Sequence, residues 1–380
     1  MQLNLHEFMA QKGEAYSNID TARMPIFWSE LGNEFHLPQI VQTIGTNGKG
    51  STGRILAHFM RTAGYKVGHY TSPHLLRFNE RYWINGSDAT DEALEAAHRS
   101  VVQIIGEKWA NDLSYFEYAT VLAAKLFEGC DYAVIEAGLG GEFDATTVFD
   151  AELLLITPIG IDHQHLLGDT IASIATTKLR AMRSTTIIAK QKHSEVVEIA
   201  RKIASERNQK LILAHDLAPV CDHFESADSP AFMAINRQLA FAAANHLGLK
   251  PKIAEFKINP LFGRLTKIAP NIFIDVGHNA AAAHAIVEAF SPRQVVVIYN
   301  SYTDKAFDVI LKTLKPIIKR LFVLRVEHPR IVDQERLLEA IKKERIEWSY
   351  FDGKLDPAET YIVFGSFSVV ETFLKTFNAR

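Results

Sequence analysis

The sequence predicts an α/β protein of two domains, an N-terminal P-loop ATPase-like domain with a parallel sheet and a C-terminal Rossmann-like α/β domain. Three observations carry this. At 380 residues the chain exceeds what one hydrophobic core usually supports. An apolar, β-branched run at Ile40–Ile44 passes into a glycine-rich turn, Gly45-Thr46-Asn47-Gly48-Lys49-Gly50-Ser51, and then into an amphipathic segment with Ile55, Leu56, Phe59 and Met60 at helical spacing. From Asn271 onward strand-like and helix-like segments alternate cleanly, the pattern of βαβ units on a parallel sheet. The two domains are placed at 1–260 and 265–380.

Strand, glycine loop and helix in succession aim backbone N–H groups and a helix dipole at phosphate oxygens. Lys49 adds a point charge for the β- and γ-phosphates, and the Ser51 hydroxyl can take a magnesium ion. Lys49 follows Gly45 by four positions, a shorter spacing than the standard P-loop, and Gly50 intervenes before Ser51. The bland alternative is a tight strand-to-helix turn.

Composition narrows the classes. Apolar residues at 47% and charged residues at 22% describe an ordinary globular protein. The net charge of −3 and the lack of a long basic run argue against nucleic acid or an anionic membrane as main partner. Cys130 and Cys221 stand apart without metal or redox spacing, which fits a reducing compartment. The first residues, MQLNLHEFMAQKGE, lack the charged and apolar regions of a signal peptide, and no stretch approaches the roughly 18 apolar residues of a membrane span. A soluble, cytoplasmic protein is expected. Internal repeats and low-complexity segments are absent.

Taken in order, Leu3–Gln11 and Thr21–Leu31 read as short helices, the second with Asp20 as N-cap, and Pro38 closes the segment before the first strand. After the P-loop helix come a strand at Lys66–Tyr70 and a non-periodic loop, Thr71–Arg81. Helices at Thr90–Trp109 and Phe116–Phe127 precede a buried strand, Asp131–Ala137, whose Glu136 falls at the C-terminal edge where parallel sheets bind ligands. A glutamate there can hold the metal on the phosphates. Strand Leu153–Thr157 leads to His163 and His165, too few ligands for a zinc site. His163 reads better as following a sheet edge adjacent to Glu136. Strands at Thr186–Ala189 and Lys210–Ala214 flank a helix at Ser194–Asn208. An irregular connection at Asp222–Pro230 then precedes a helix at Ala234–Leu247. In the C-terminal part, strands Ile272–Ile274, Val295–Tyr299, Leu321–Val326 and Tyr361–Phe364 alternate with helices Ala280–Phe290, Lys305–Lys315, Asp333–Arg345 and Ser368–Phe377.

Six stretches, in order, resemble motifs of the folylpolyglutamate synthase/dihydrofolate synthase family of the Mur ligase superfamily. They are GTNGKGS, TSPHL…FNER, E-x-G-L-G-G-x-x-D-A-T from Glu136, I-x-x-I-x-x-D-H-x-x-x-L-G ending at Gly168, Phe262-Gly263-Arg264 against P-G-R, and Asp275-Val276-Gly277-His278-Asn279 against D-G-A-H-N-P. Gly365-Ser366 matches a further helix start. The resemblance implies an ATP-dependent amide ligase that adds L-glutamate to a pterin carboxylate (dihydropteroate, tetrahydrofolate or both) through an acyl phosphate, in folate biosynthesis, with the C-terminal domain binding glutamate and closing over ATP.

By the same resemblance, ATP would meet Thr46, Asn47, Gly48, Lys49, Gly50, Ser51 and Thr52. Asn236 would lie against adenine, Arg264 at the phosphates, Asp275 at the ribose, and His278 near the phosphates and the reacting centre. Two Mg²⁺ sites are implied, one on Ser51 and Glu136, the other on Glu136, His163 and Lys178. Lys178 would be carbamylated, which turns an ammonium into an anionic ligand; without the resemblance it reads as a helical surface lysine. Ser72, Pro73 and His74 would lie over the active site, Phe116 would wall a pterin pocket by stacking, and Asp144 and Ala145 would contact the pterin. Lys49, Glu136, His163, Lys178 and His278 make up the implied reacting set, and Asp304, Lys305 and Ser366 are candidates for the glutamate pocket.

The chain departs from the family at Glu142 (usually arginine), Thr147 (usually asparagine), Phe262 and the flanks of Lys178, where R-E-K-A-G is usual. Family members are commonly monomers. Two other readings stand beside this one. A UDP-muramyl amino-acid ligase would normally carry an extra N-terminal domain, and a regulatory P-loop ATPase would not need His163, Lys178 or the Thr71–Arg81 loop.

Overall fold

The computed structural model describes residues 3–13, 19–183, 185–219, 221–224, 231–256 and 261–378. The chain divides into two compact units. The first takes Met1–Ile159, His163–Phe224 and Ile235–Ile258, the second Gly160–Asp162, Glu225–Ala234 and Asn259–Arg380. Of the boundary that the sequence suggests, between 260 and 265, residue 260 lies outside the described residues, as does most of the irregular connection, 225–230.

In the first unit helices α1 (Leu5–Lys12) and α2 (Arg23–Leu31) precede β1 (Gln39–Ile44), α3 (Lys49–Thr62) and β2 (Val67–Tyr70). Next come β3 (Tyr82–Ile84), β4 (Ser87–Asp88), α4 (Asp91–Asp112), α5 (Tyr115–Leu126), β5 (Tyr132–Glu136) and β6 (Leu153–Ile156). The chain continues through α6 (Gln164–Leu167), α7 (Ile171–Leu179), β7 (Thr185–Ile188), α8 (Ser194–Glu206), β8 (Lys210–Leu213), α9 (Ala214–Leu217) and α10 (Ala231–His246), which belongs to this unit from Ile235 onward.

The strands form one sheet in the order β4-β3-β2-β5-β1-β6-β7-β8, parallel from β2 to β8 with an antiparallel edge at β3 and β4. Central strands are buried along their length, as the apolar runs predicted. β1 pairs with β5 in a register that sets Thr43 opposite Glu136, so the P-loop and Glu136 leave neighbouring strands at the same edge. Helix α3 can lie close to the sheet because Gly53 has no side chain: a Cβ there would stand 2.6 Å from His69 Nε2.

The second unit holds β9 (Thr266–Ala269), β10 (Ile272–Asp275), α11 (Ala280–Phe290), β11 (Val295–Tyr299) and α12 (Phe307–Leu314). It ends with β12 (Ile318–Val323), α13 (Gln334–Lys343), β13 (Trp348–Tyr350), β14 (Tyr361–Phe364) and α14 (Phe367–Asn378). Its sheet order is β13-β12-β11-β14-β10-β9, parallel except for β9.

The alternation predicted from Asn271 stands, with three segments reproduced to the residue: Ala280–Phe290, Val295–Tyr299 and Tyr361–Phe364. The sequence missed β3, β4, β9 and β13, each four residues or fewer, because so short a segment carries no period to read. Asp20 is not the N-cap of α2. That helix starts at Arg23 behind Ala22, and Asp20 Oδ1 instead accepts the N–H groups of Ala22 and Arg23 at 2.9 and 3.3 Å. Among the described residues no helix is long and apolar enough to cross a membrane.

Candidate active site

The glycine loop is shaped by close backbone approach. Gly45 has φ +152°, and a Cβ on it would fall 2.0 Å from the Thr157 hydroxyl at the exit of β6. Gly48, left-handed at φ +90°, would bring a Cβ 2.3 Å from Asn236 Oδ1, so the buried Asn236 packs directly on the loop. The N–H groups of Thr46 and Asn47 donate to the Pro158 carbonyl at 3.1 and 3.3 Å. Those of Lys49, Gly50 and Ser51 open α3 and have no intrahelical acceptor, which leaves them for an anion. Gly48→Ala should therefore weaken ATP binding about tenfold or more, since a left-handed alanine costs roughly 1–2 kcal/mol before its clash with Asn236 is counted. Calorimetric titration with ATP measures this.

Lys49 Nζ lies 3.9 Å from Glu136 Oε1 and 3.5 Å from the Thr46 carbonyl. The buried Glu136 uses its other oxygen, Oε2, to accept from the Thr71 hydroxyl and from the Ser72 N–H at 3.2 Å. This oxygen ties the Thr71–Arg81 segment to the sheet edge and leaves Oε1 turned toward Lys49.

The segment itself is folded by the last two residues of the FNER motif, to which the sequence reading gave no role of their own. Glu80 accepts the N–H groups of Leu75, Leu76 and Arg77 at 2.6, 2.9 and 2.9 Å. Arg81, buried, donates from Nε to His74 Nδ1 at 2.9 Å and stacks 5.3 Å from the Tyr115 ring centre. The signal in the sequence was the adjacent charged pair Glu80-Arg81 inside a non-periodic loop.

Phe116 stands in the first turn of α5, fixed by a capping box between Ser114 and Glu117. Its ring covers Gly138, where a Cβ would meet the ring at 2.6 Å, and its centre is 6.1 Å from that of Tyr70. The loop beyond β5 is thereby placed beside an aromatic wall.

That loop is drawn onto α7. Gly141 touches the α7 backbone, since a Cβ there would be 2.5 Å from Lys178 Cα. The Glu142 N–H donates to the Thr177 carbonyl at 3.2 Å, and the Glu142 carboxylate is 3.5 Å from Arg180 Nη1. Thr147 Oγ1 donates to the Gly141 carbonyl at 2.7 Å, while Arg183 Nη2 donates to the Thr147 carbonyl at 2.6 Å. Of these two departures from the family motif, Glu142 ties the loop to the end of α7, and Thr147 ties the loop to itself and to Arg183 beyond that helix.

Lys178 is not the surface lysine that its flanks predict. It is 2% exposed, with Nζ donating to the Leu139 carbonyl at 2.8 Å. Asp144, also buried, takes four hydrogen bonds, on Oδ2 from the N–H groups of Leu139 and Gly140 and on Oδ1 from the N–H and hydroxyl of Thr146. Ala145 is buried beside it. His163 precedes α6 with a left-handed backbone, φ +52°, and is half-buried.

In the second unit the candidates gather where β10, β11 and β14 end. Asp275 is buried and accepts from the N–H groups of Gly277 and Leu265 at 2.7 and 2.8 Å. Burial pushes its carboxyl above the ordinary range against the pull of Arg264. The Arg264 guanidinium lies 5.3 Å from the Phe367 ring centre. Ser366 is fully buried and its Oγ caps α14 by accepting the Val369 N–H at 3.2 Å.

Asp162, which the sequence shows only as the Asp of an Asp-His pair, collects three groups of this unit. Lys305 Nζ is 2.7 Å away, Asn279 Nδ2 donates at 3.1 Å, and His278 Nε2 stands at 3.6 Å. Asp304 is 2.9 Å from Arg330 and 3.6 Å from Lys305. Burial raises its carboxyl, but these cations outweigh that and hold it below the usual range.

No protein-family model matches the chain. Its fold and sequence are similar to the crystal structure of Helicobacter pylori folylpolyglutamate synthetase, 36% identical, with a TM-score of 0.79 over 99% of this chain and 98% of that one. The chain belongs to the folylpolyglutamate synthase/dihydrofolate synthase family. Two further members agree. The dihydrofolate synthase/folylpolyglutamate synthase of Escherichia coli is 29% identical over 94% of this chain and 91% of its own length. An Escherichia coli FolC structure in complex with DHPP and ADP has a TM-score of 0.85 at 27% identity, covering 100% of this chain and 98% of that one.

Proposed function

We propose that this chain joins the α-amine of L-glutamate to the carboxylate of a pterin substrate, dihydropteroate or tetrahydrofolate, at the expense of ATP. It is an ATP-dependent ligase of folate metabolism. The observation that carries the reading is the pairing of Lys49 with Glu136 at the edge of two adjacent strands, directly before the open N–H groups of α3.

The chemistry follows from charge. A carboxylate oxygen attacks the γ-phosphorus, ADP leaves, and an acyl phosphate results. The glutamate amine then attacks the acyl carbon, loses a proton, and expels inorganic phosphate. Neither step needs a nucleophilic side chain; both need anions brought together and neutralised. Lys49 and the first N–H groups of α3 cradle the β- and γ-phosphates, and Arg264 adds a guanidinium fork for phosphate. Asn236 sits on the loop where it limits one side of the adenine site, and Asp275 takes the ribose. Phe116, Ala145 and the segment Ser72-Pro73-His74 bound the pterin, and His278 serves the phosphates.

The donor set suits a divalent cation. Ser51 offers a buried hydroxyl at the head of α3, and Glu136 keeps Oε1 clear of the two hydrogen bonds that fix Oε2. Ser51 and Glu136 would hold one Mg²⁺, with Glu136, His163 and a carbamylated Lys178 holding a second. Bound there, magnesium supplies charge neutralisation for the transferring phosphoryl group.

The test is ADP release with Mg·ATP and L-glutamate, with dihydropteroate and tetrahydrofolate in separate reactions. ADP formed only when pterin and glutamate are both present is the expected result, and the productive pterin names the substrate. ADP formed regardless of either would establish a regulatory ATPase instead. No ADP with any pterin would turn attention to UDP-muramyl substrates.

A further inference from the structure

We infer that Lys12 and Arg23 are positioning residues for Phe116, so that the two N-terminal helices set the wall of the pterin pocket from behind it. This rests on the reading of Phe116 as that wall.

Phe116 follows a sharp corner. α4 ends at Asp112, Leu113 is its C-cap, and Ser114 already caps α5. The last carbonyls of a helix have no donor within it. Lys12, at the end of α1, supplies one: Nζ donates to the Leu113 carbonyl at 2.5 Å and to the Asn111 carbonyl at 3.2 Å. A cation there also complements the negative end of the α4 dipole. On the other side of Phe116 the buried Glu117 accepts two donors on Oε2, the Ser114 N–H and Arg23 Nε, each at 2.7 Å. Arg23 opens α2. The backbone before Phe116 is thus held by a cation from one N-terminal helix, and the side chain after it by a cation from the other.

The seat of α1 brings Lys12 to the corner. The Leu5 N–H donates to Glu95 Oε2 at 2.8 Å, and the Leu3 carbonyl meets His98 Nε2 at 3.2 Å. The Phe8 ring centre is 4.8 Å from that of Tyr118, and Lys12 Nζ lies 4.8 Å from the first ring and 5.4 Å from the second. Burial pulls the Lys12 ammonium down to about 8 in spite of Glu117. Its charge is therefore less favoured in the folded chain than in the unfolded one. It opposes folding below pH 8, and that cost is relieved as the pH rises toward the ordinary lysine value. Removing the charge should leave the fold standing, so any effect on pterin can be read separately.

The experiment is a double-mutant cycle between Lys12→Met and Phe116→Ala, with Arg23→Met and Lys12→Arg beside it. Steady-state kinetics give pterin KM, ATP KM and kcat, and calorimetry gives the thermal midpoint. Lys12→Met keeps the stem against the rings and removes the donor. It should raise pterin KM about fivefold, a fraction of the tenfold or more expected from losing a charged hydrogen bond in direct contact. ATP KM and kcat should stay nearly unchanged. Arg23→Met should act in the same direction, and Lys12→Arg, which restores a cationic donor, should recover most of the loss. Phe116→Ala should raise pterin KM by itself, and Lys12→Met should add nothing in that background, because its route to the pterin is gone. The same factor with and without Phe116 would overturn the inference and mark general loosening. Unchanged pterin KM in Lys12→Met and Arg23→Met, with a rise in Phe116→Ala, would overturn the role of the two cations and leave the wall in place. An unchanged pterin KM in Phe116→Ala would overturn the wall, and the inference with it. If Lys12→Met melts below the assay temperature, the cycle is run with Arg23→Met and decided by the same outcomes.

Discussion

Replacing Lys49 with alanine should lower pterin- and glutamate-dependent ADP formation about a thousandfold or more, the scale of losing one preorganised charge at a developing oxyanion. The protein should survive the change. Lys49 is only 3.9 Å-paired with Glu136, and the carboxylate keeps its two bonds from Thr71 and Ser72 when the ammonium is gone. The thermal midpoint should therefore move by no more than a few degrees, which separates a lost charge from a lost fold. Lys49→Arg offers a sharper comparison. It keeps the charge but replaces a compact ammonium with a planar fork on a longer stem, so it should restore nucleotide binding more fully than turnover. Steady-state ADP release, ATP titration and calorimetry on the three proteins measure all of this. Unchanged turnover in Lys49→Ala would overturn the assignment of the site.

What the sequence disclosed and what it hid divide along a physical line. The glycine loop was legible because its requirements are local. Gly48 must be left-handed, and Gly45 must admit the Thr157 hydroxyl, so glycine marks both places. The alternating half was legible because Ala280–Phe290 and its neighbours repeat at one period long enough to read. Lys178 was hidden. Its flanks, Thr176, Thr177, Leu179 and Arg180, look like an ordinary helix face, and it is buried only because a loop some 40 residues earlier, bare at Gly141, lies down on it. Asp144 was visible as a motif residue, but its four bonds depend on how the loop turns back on itself. Asp162 needed three partners from remote parts of the chain, and no spacing announces such a meeting.

The second large effect is expected at that meeting point. Lys305 and Asp162 are both almost fully buried, with side chains 5% and 8% exposed and a separation of 2.7 Å. Lys305→Met would leave Asp162 with Asn279 and His278 but without a full counter-charge. Removing one partner of a buried ion pair costs about 3–5 kcal/mol, chiefly because the other charge stays desolvated. For a unit of this size that corresponds to a fall of about 10 °C or more in its melting transition, measured by scanning calorimetry. The loss belongs to the stranded charge and not to the missing contact, so a second substitution should recover most of it. Asp162→Asn in the Lys305→Met background removes the uncompensated anion while keeping an acceptor for Asn279, and the transition should return to within a few degrees of wild type. Equal destabilisation in the single and double variants would show instead that the Lys305 stem, packed in the loop after β11, holds the unit by its volume. The two outcomes carry different consequences for the amino-acid substrate. If Asp162 is what neutralises Lys305, then Asp304 still keeps Arg330, 2.9 Å away and lying 4.4 Å over the Tyr302 ring. Glutamate KM in Lys305→Met then tests the candidate: a large rise supports Lys305 in the glutamate pocket, and a small change argues against it.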